Sequence, residues 1–332
     1  MNSNIRIKYL IIFFLCSLFF LSNRPKKWGF FGHQRINRMA VFTLPPEMIG
    51  FYKKHIDFIT EHAVDPDKRR YGIKEEAPRH YIDIDHYGPD AFKVVPIYWK
   101  KAVEKFTEDT LMAYGIVPWH IEVMERRLTD AFKREDIDRI LHVSAELGHY
   151  LADAHVPLHT TENYNGQLTN QRGIHGFWES RIPELKAEDY DYFVGRARYI
   201  DSPIKSAWKI VKESNAAVDS VLTFESKLNA NFPTDKKYGF ENRNNALVKV
   251  YSQEYTEAYD KMISGQVERR MRASIIMVGN FWYTAWVNAG KPDLDRIEHK
   301  QISDSLKTVL KNEELLYERR KENEQGIKGH HD

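Results

Sequence analysis

One cysteine, Cys16, occurs in 332 residues, and it lies inside an apolar run near the start. A chain that loses this run has no cysteine. Disulfide staples and a catalytic thiolate are then both excluded. Long basic runs are missing too. The formal net charge is +2, and Arg6, Lys8, Arg24, Lys26 and Lys27 precede Trp28 with no acid among them; without these five it becomes −3. Tight grip on duplex nucleic acid through many phosphate contacts is not indicated, so any phosphate attraction must have another source. Strand patterns are scarce: "HYIDIDHYG" (80–88) alternates but is short, and Pro78 and Gly88 bound it. No internal repeat is visible. The one long apolar run, Tyr9 to Leu21, is short for a membrane span.

That run follows Arg6 and Lys8 and ends at Ser22 and Asn23, the layout of a secretory signal. Residues 1–22 are expected to be a signal peptide and 23–27 a pro-segment, giving a secreted or periplasmic protein. The alternative is an uncleaved helix that anchors the chain to the membrane. Leu15 before Cys16 argues against lipidation. The full chain is 42% hydrophobic with 13% aromatics, enough to build a sizeable core. Nearly all of it from Arg35 carries helical periodicity. Examples are "LPPEMIGFYKKHIDFITEHA", "PIYWKKAVEKFTEDTLMAYG", "DIDRILHVSAELGHYLADAHV" and "QVERRMRASIIMVGNFWYTAWVNAG". The expected fold is an all-α multi-helix domain over 28–290. A charged amphipathic helix and disordered tail follow over 291–332, with Leu294, Ile297, Ile302, Leu306, Val309 and Leu316 as its apolar stripe. Trp119, Trp282 and Trp286 read as core.

One helix gathers histidines. "HYLADAHVPLH" runs from His149 to His159, and His149 and Asp153 stand four apart on one helix face. After the break at Pro157 comes His159, then the polar loop "TTENYNGQLTNQRG", then "IHGFWES", where His175 and Glu179 repeat the spacing. A lone His and acid four apart is commonly a surface hydrogen bond. Two such pairs around a further histidine form a ligand set suited to zinc, and a catalytic zinc site keeps one position open for water. His155 points to another face and reads as surface or as a neighbour of the ligands.

The order and spacing of these residues resemble the zinc-dependent superfamily of bacterial phospholipase C and the fungal single-strand-specific nucleases of the S-one/P-one type. The similarity extends to "WGFFGH", with Trp28 and His33, to "HAVDPDKRR", with Asp65 and its rival Asp67, and to "APRHYIDID", with His80. The resemblance implies an all-α fold with three Zn²⁺ at the bottom of a cleft. It implies Asp65, His80, His149 and Asp153 on one ion, and His159, His175 and Glu179 on a second. The third would take His33, Asp153 as a bridge, and the α-amino and carbonyl groups of Trp28. Asp65 is favoured over Asp67 for the apolar pair before it. "SNRPKK" precedes Trp28, so a free amine needs a cut after Lys27; without it two zinc ions are expected.

Three Zn²⁺ bring six positive charges, of which Asp65, Asp153 and Glu179 return three. Such a site attracts a phosphodiester without a basic patch. Zinc also generates a nucleophile from water near neutral pH, so no serine or cysteine is needed. The expected activity is phosphodiester hydrolysis, with Asp65 and Asp153 as catalytic carboxylates. Single-stranded nucleic acid is slightly favoured as substrate by "WGFFGH" and by the Asp65-to-His80 spacing. Phospholipid is the runner-up, favoured by Glu179 where the nucleases use Asp. A non-catalytic zinc-stabilised helical protein is the third reading. Asp83 is a candidate to orient a ligand imidazole, and Asn163 and Tyr164 are candidate substrate contacts, although a plain turn also explains that pair. No protein partner is expected, and the chain is expected to be a monomer.

Overall fold

The computed structural model describes residues 30–70, 72–243 and 246–322. Trp28, Cys16 and the segments 1–22 and 23–27 lie outside the described residues. The architecture is all-α, with one two-stranded sheet among the described residues. The elements that matter here are α1 (Phe30–Ala40), α2 (Asp65–Arg69), α3 (Val117–Lys133), α4 (Ile137–His155), α5 (Pro203–Asn231), α6 (Gln266–Asn288) and α7 (Asp304–Glu322).

Helix α4 is the centre. Asp136 caps it by accepting the Arg139 N–H at 3.2 Å. Pro157 ends it, holding Val156 extended. Helices α1, α3, α5 and α6 all pack against α4. A helix enclosed on every side must be apolar all round and lined with small residues where neighbours cross. Ser144, Ala145, Gly148, Ala152 and Ala154 meet that need, and all are buried. At Gly148 the crossing is so close that a Cβ would sit 1.9 Å from Asn37 Oδ1 of α1. Asn37 is itself fixed, its amide donating to Ala145 O at 2.9 Å and Ile59 O at 3.3 Å.

A second apolar cluster, including Val156, Leu158, Phe177, Trp178, Tyr255 and Tyr259, lies under the segment after α4. Against it rests the hairpin of β1 (Tyr238–Arg243) and β2 (Ala246–Tyr251), with Tyr238 opposite Tyr251. Tyr251 stacks on Phe177 with ring centroids 4.0 Å apart, and Arg181 joins Glu241 at 2.6 Å. This hairpin has no counterpart in the helical reading of the sequence.

Other elements differ in their limits. The stretch 46–61 is two helices divided at His55, and 99–114 is divided at Thr107, whose φ of 67° no helix accommodates. "HYIDIDHYG" joins no sheet; Ile82 N–H donates to His159 O and Asp83 N–H to Tyr114 O. The C-terminal helix starts only at Asp304. Leu294 and Ile297 are buried in the turn before it, while Val309 and Leu316 are exposed. Its anchors are Leu306 and Tyr317. Trp119, Trp282 and Trp286 are core. Among the described residues no helix is long and apolar enough to cross a membrane.

Candidate metal centre

Six elements aim histidines and acids at one place. Helix α1 brings His33, α2 brings Asp67, and the turn after Ala77–Arg79 brings His80. Helix α4 brings His149 and Asp153, one turn apart on the same face as the four-residue spacing requires. The tight turn Pro157–Thr160 brings His159, and a helical segment running through Ile174–Gly176 into the π-helical turn Phe177–Arg181 brings His175 and Glu179. Asp153, His149 and His159 have no solvent exposure, and His33, His80 and His175 have almost none.

The donor atoms fall into three groups. In the first, His80 Nδ1 lies 3.0 Å from His149 Nε2 and 3.0 Å from Asp153 Oδ2. His149 Nε2 lies 3.2 Å from the same oxygen, and Asp67 Oδ1 is 3.8 Å from each imidazole. In the second, Glu179 Oε2 is 2.7 Å from His175 Nε2 and 3.6 Å from His159 Nε2. In the third, His33 Nε2 is 3.4 Å from Asp153 Oδ1 and 3.3 Å from Glu179 Oε1. Each of the two carboxylates thus divides its oxygens between groups. Asp153 serves the first and third, and Glu179 serves the second and third.

These separations are a fit test for zinc. Ligand atoms about 2.0–2.1 Å from a tetrahedral zinc stand about 3.3–3.4 Å from one another. The observed distances bracket that edge length. The chemistry fits also: imidazoles and carboxylates with no thiolate, and an Asp153 Oδ1 that is buried and accepts no hydrogen bond. The His149 Nδ1–H is directed to Ala63 O at 2.9 Å, which leaves Nε2 as the donor atom toward the group.

Electrostatics hold the acids charged. Burial would raise Asp153 and Glu179, but the surrounding histidines hold both carboxyls well below their usual range. Burial would lower His33 and His80. Glu179 and Asp153 override it at His33, and Asp153 and Glu76 at His80, so both are pushed up to about 9. His149 is lowered, by burial first.

Several expectations need correction. Asp65 does not face the cluster; it is tied to His62 Nδ1 at 2.6 Å and Lys68 Nζ at 3.1 Å, and Asp67 stands at the first group instead. Burial and then the charges of Asp85 and Glu162 push the Asp83 carboxyl up to about 8. Glu76 stands on the Nε2 side of His80, at 3.6 Å, and bonds the Tyr150 hydroxyl, Arg69 and Arg79. His155 is buried and donates to Leu151 O at 2.7 Å, so it is not a surface residue; it lines a pocket together with His33 and Glu179. Asn163 holds its own turn, donating to Thr169 and accepting the Leu168 N–H at 2.8 Å. Tyr164 offers its carbonyl to His175 Nδ1 at 3.2 Å. Both place the loop beside the second group.

Buried groups of histidines that share two carboxylates, carried on an all-α scaffold, form a centre that could hold a metal ion. The S1/P1 Nuclease family model matches residues 28–272, and the chain belongs to that family. It is therefore a hydrolase of the nuclease, phosphodiester-cleaving type. Comparison with curated proteins finds no match.

Proposed function

We propose that the protein is a zinc-dependent phosphodiesterase that cleaves single-stranded nucleic acid and leaves the cell through residues 1–22. The sharing of Asp153 and Glu179 among three donor groups carries this reading, because only adjacent ions make use of such an arrangement. Bound zinc supplies Lewis acidity and lowers the pKa of water. His80, His149, Asp67 and Asp153 would hold one ion, and His159, His175 and Glu179 a second that keeps a position for water or substrate. His33 with the free carboxylate oxygens would hold a third, completed by the Trp28 amine after cleavage at Lys27. The protein's own part is to keep the two shared carboxylates ionised and the imidazoles fixed. The folded unit is 28–290, a monomer, with α7 appended.

The test is hydrolysis by zinc-loaded protein of single-stranded DNA, duplex DNA and phosphatidylcholine vesicles, each with and without chelator. Chelator-sensitive cleavage of the single strand is expected. Cleavage of lipid alone would assign the phospholipase C activity instead, and zinc binding without hydrolysis would leave a structural role.

Two outcomes bear on the ligands. Asp67→Asn should lower turnover by more than about 10²-fold and reduce bound zinc, whereas Asp65→Asn, which acts only through a neighbour, should stay within the about 10–100-fold typical of an outer partner. Equal losses in elemental analysis and rate would return Asp65 to the site. The second concerns pH. His33 and His80 are raised from 6.5 to about 9 in the folded, metal-free chain. Their stabilising protonation is complete below pH 6.5 and is lost as pH rises through about 9. The unfolding midpoint of chelated protein should fall over that window while zinc affinity rises. A midpoint that climbs between those pH values would contradict the assignment.

A further inference from the structure

The acid of the first group stands on weak ground. Helix α2 has five residues, too few to hold its own shape. Asp67 is its middle residue, and each neighbour on its C-terminal side is tied to the C-terminal helix. Lys68 Nζ reaches Glu314 at 2.7 Å, and Arg69 Nη1 reaches Glu313 at 3.7 Å. The same Arg69 bonds Glu76 at 3.2 Å, and Glu76 faces His80 Nε2. Helix α7 therefore touches the supports of two donors of one group. It also packs Tyr317 against Phe30 at the start of α1, with ring centroids 6.4 Å apart, and α1 carries His33.

The other end of α7 is pinned as well. Ser303 N–H donates to Asp138 at 3.0 Å, and Leu306 is buried. The helix thus spans from the first turn of α4, over α2, to α1. All of it lies beyond the family-matched residues 28–272. The His159, His175 and Glu179 group stands on other elements.

We propose that α7 is a strap that sets the metal affinity of the first group, with Glu313 and Glu314 as positioning residues acting through Arg69 and Lys68 on Asp67 and His80. The proposal rests on the metal reading above. Outer partners that orient ligands typically change metal affinity by about 10–100-fold. A strap also predicts selectivity: one class of ions weakens and the His175 class does not.

The experiment uses full-length protein, wild type and E313Q/E314Q, titrated with zinc against a competing chelator, with zinc per chain measured separately. A fall of about 10–100-fold in one affinity class, with the others unchanged, is expected. The charge exchange Lys68→Glu with Glu314→Lys should recover much of the loss that Lys68→Glu produces alone. Unchanged zinc affinities with a lower unfolding temperature would make α7 a stabiliser only and overturn the strap. A uniform loss in every class, or no recovery in the exchange, would overturn it too. A wild-type chain that binds no zinc would instead remove the metal reading itself.

Discussion

Asp153→Asn should reduce phosphodiester hydrolysis by about 10³-fold or more and strip more than one zinc per chain, because metal assistance is worth several kcal/mol and this side chain touches two donor groups. Its Oδ2 lies between His80 and His149, and its Oδ1 faces His33 and, at 3.8 Å, His159. Asparagine keeps the shape but offers one neutral oxygen where two charged ones stood. Removing the charge leaves His33 and His80 without a principal partner, so their pKa values should return toward the ordinary 6.5. Imidazole proton resonances followed against pH would show this. Turnover near wild type in a folded variant would remove the bridging role.

Gly148→Ala should destabilise the fold by roughly 2–3 kcal/mol, the upper part of the range for overpacked cores. The added methyl meets Asn37 Oδ1 at 1.9 Å and Asn37 Cγ at 2.7 Å. Asn37 has nowhere to go, since its amide bridges Ala145 O and Ile59 O in the closed core. One of the two helices must yield. Both carry ligands, His33 on α1 and the adjacent His149 on α4, so zinc affinity should fall together with the urea midpoint. Asn37→Ala, which opens that space, should partly rescue the double variant despite its own lost hydrogen bonds. An unchanged midpoint in Gly148→Ala would mean that the crossing is looser than it looks.

The residues that were legible in sequence share one property. His149 with Asp153, and His175 with Glu179, are set by helix geometry alone, so a four-residue spacing places both members of each pair. Asp65 and Asp67 are a different problem. They are two apart on a helix of five residues, and which one faces inward depends on the rotation of that helix about its axis. Lys68 and Arg69 on that helix pair with Glu146, Glu313 and Glu314, all far away in sequence. The place of Glu76 beside His80 was hidden for the same reason: its partners Tyr150 and Arg69 come from separate elements. The hairpin 238–251 escaped because its exposed positions include Phe240 and Leu247 while Glu241 and Arg243 are half-buried, so its burial pattern has no matching apolar alternation in the sequence. Helical content was legible throughout, while the divisions at His55 and Thr107 were not, since neither residue is a strong breaker.

The contact between Phe30 and Tyr317 joins nearly the two ends of the described chain, roughly 290 residues apart. A ribosome adding about 5–20 residues each second needs on the order of 15–60 s to make the second partner after the first. Through that interval α1, α2 and α4 exist, but the helix that fastens α2 has not been made. Synthesis therefore finishes before the Asp67 side of the centre reaches its final form. Metal acquisition there belongs to the finished chain, and a message cut short near its end would yield a protein with its core intact and this side of its centre loose.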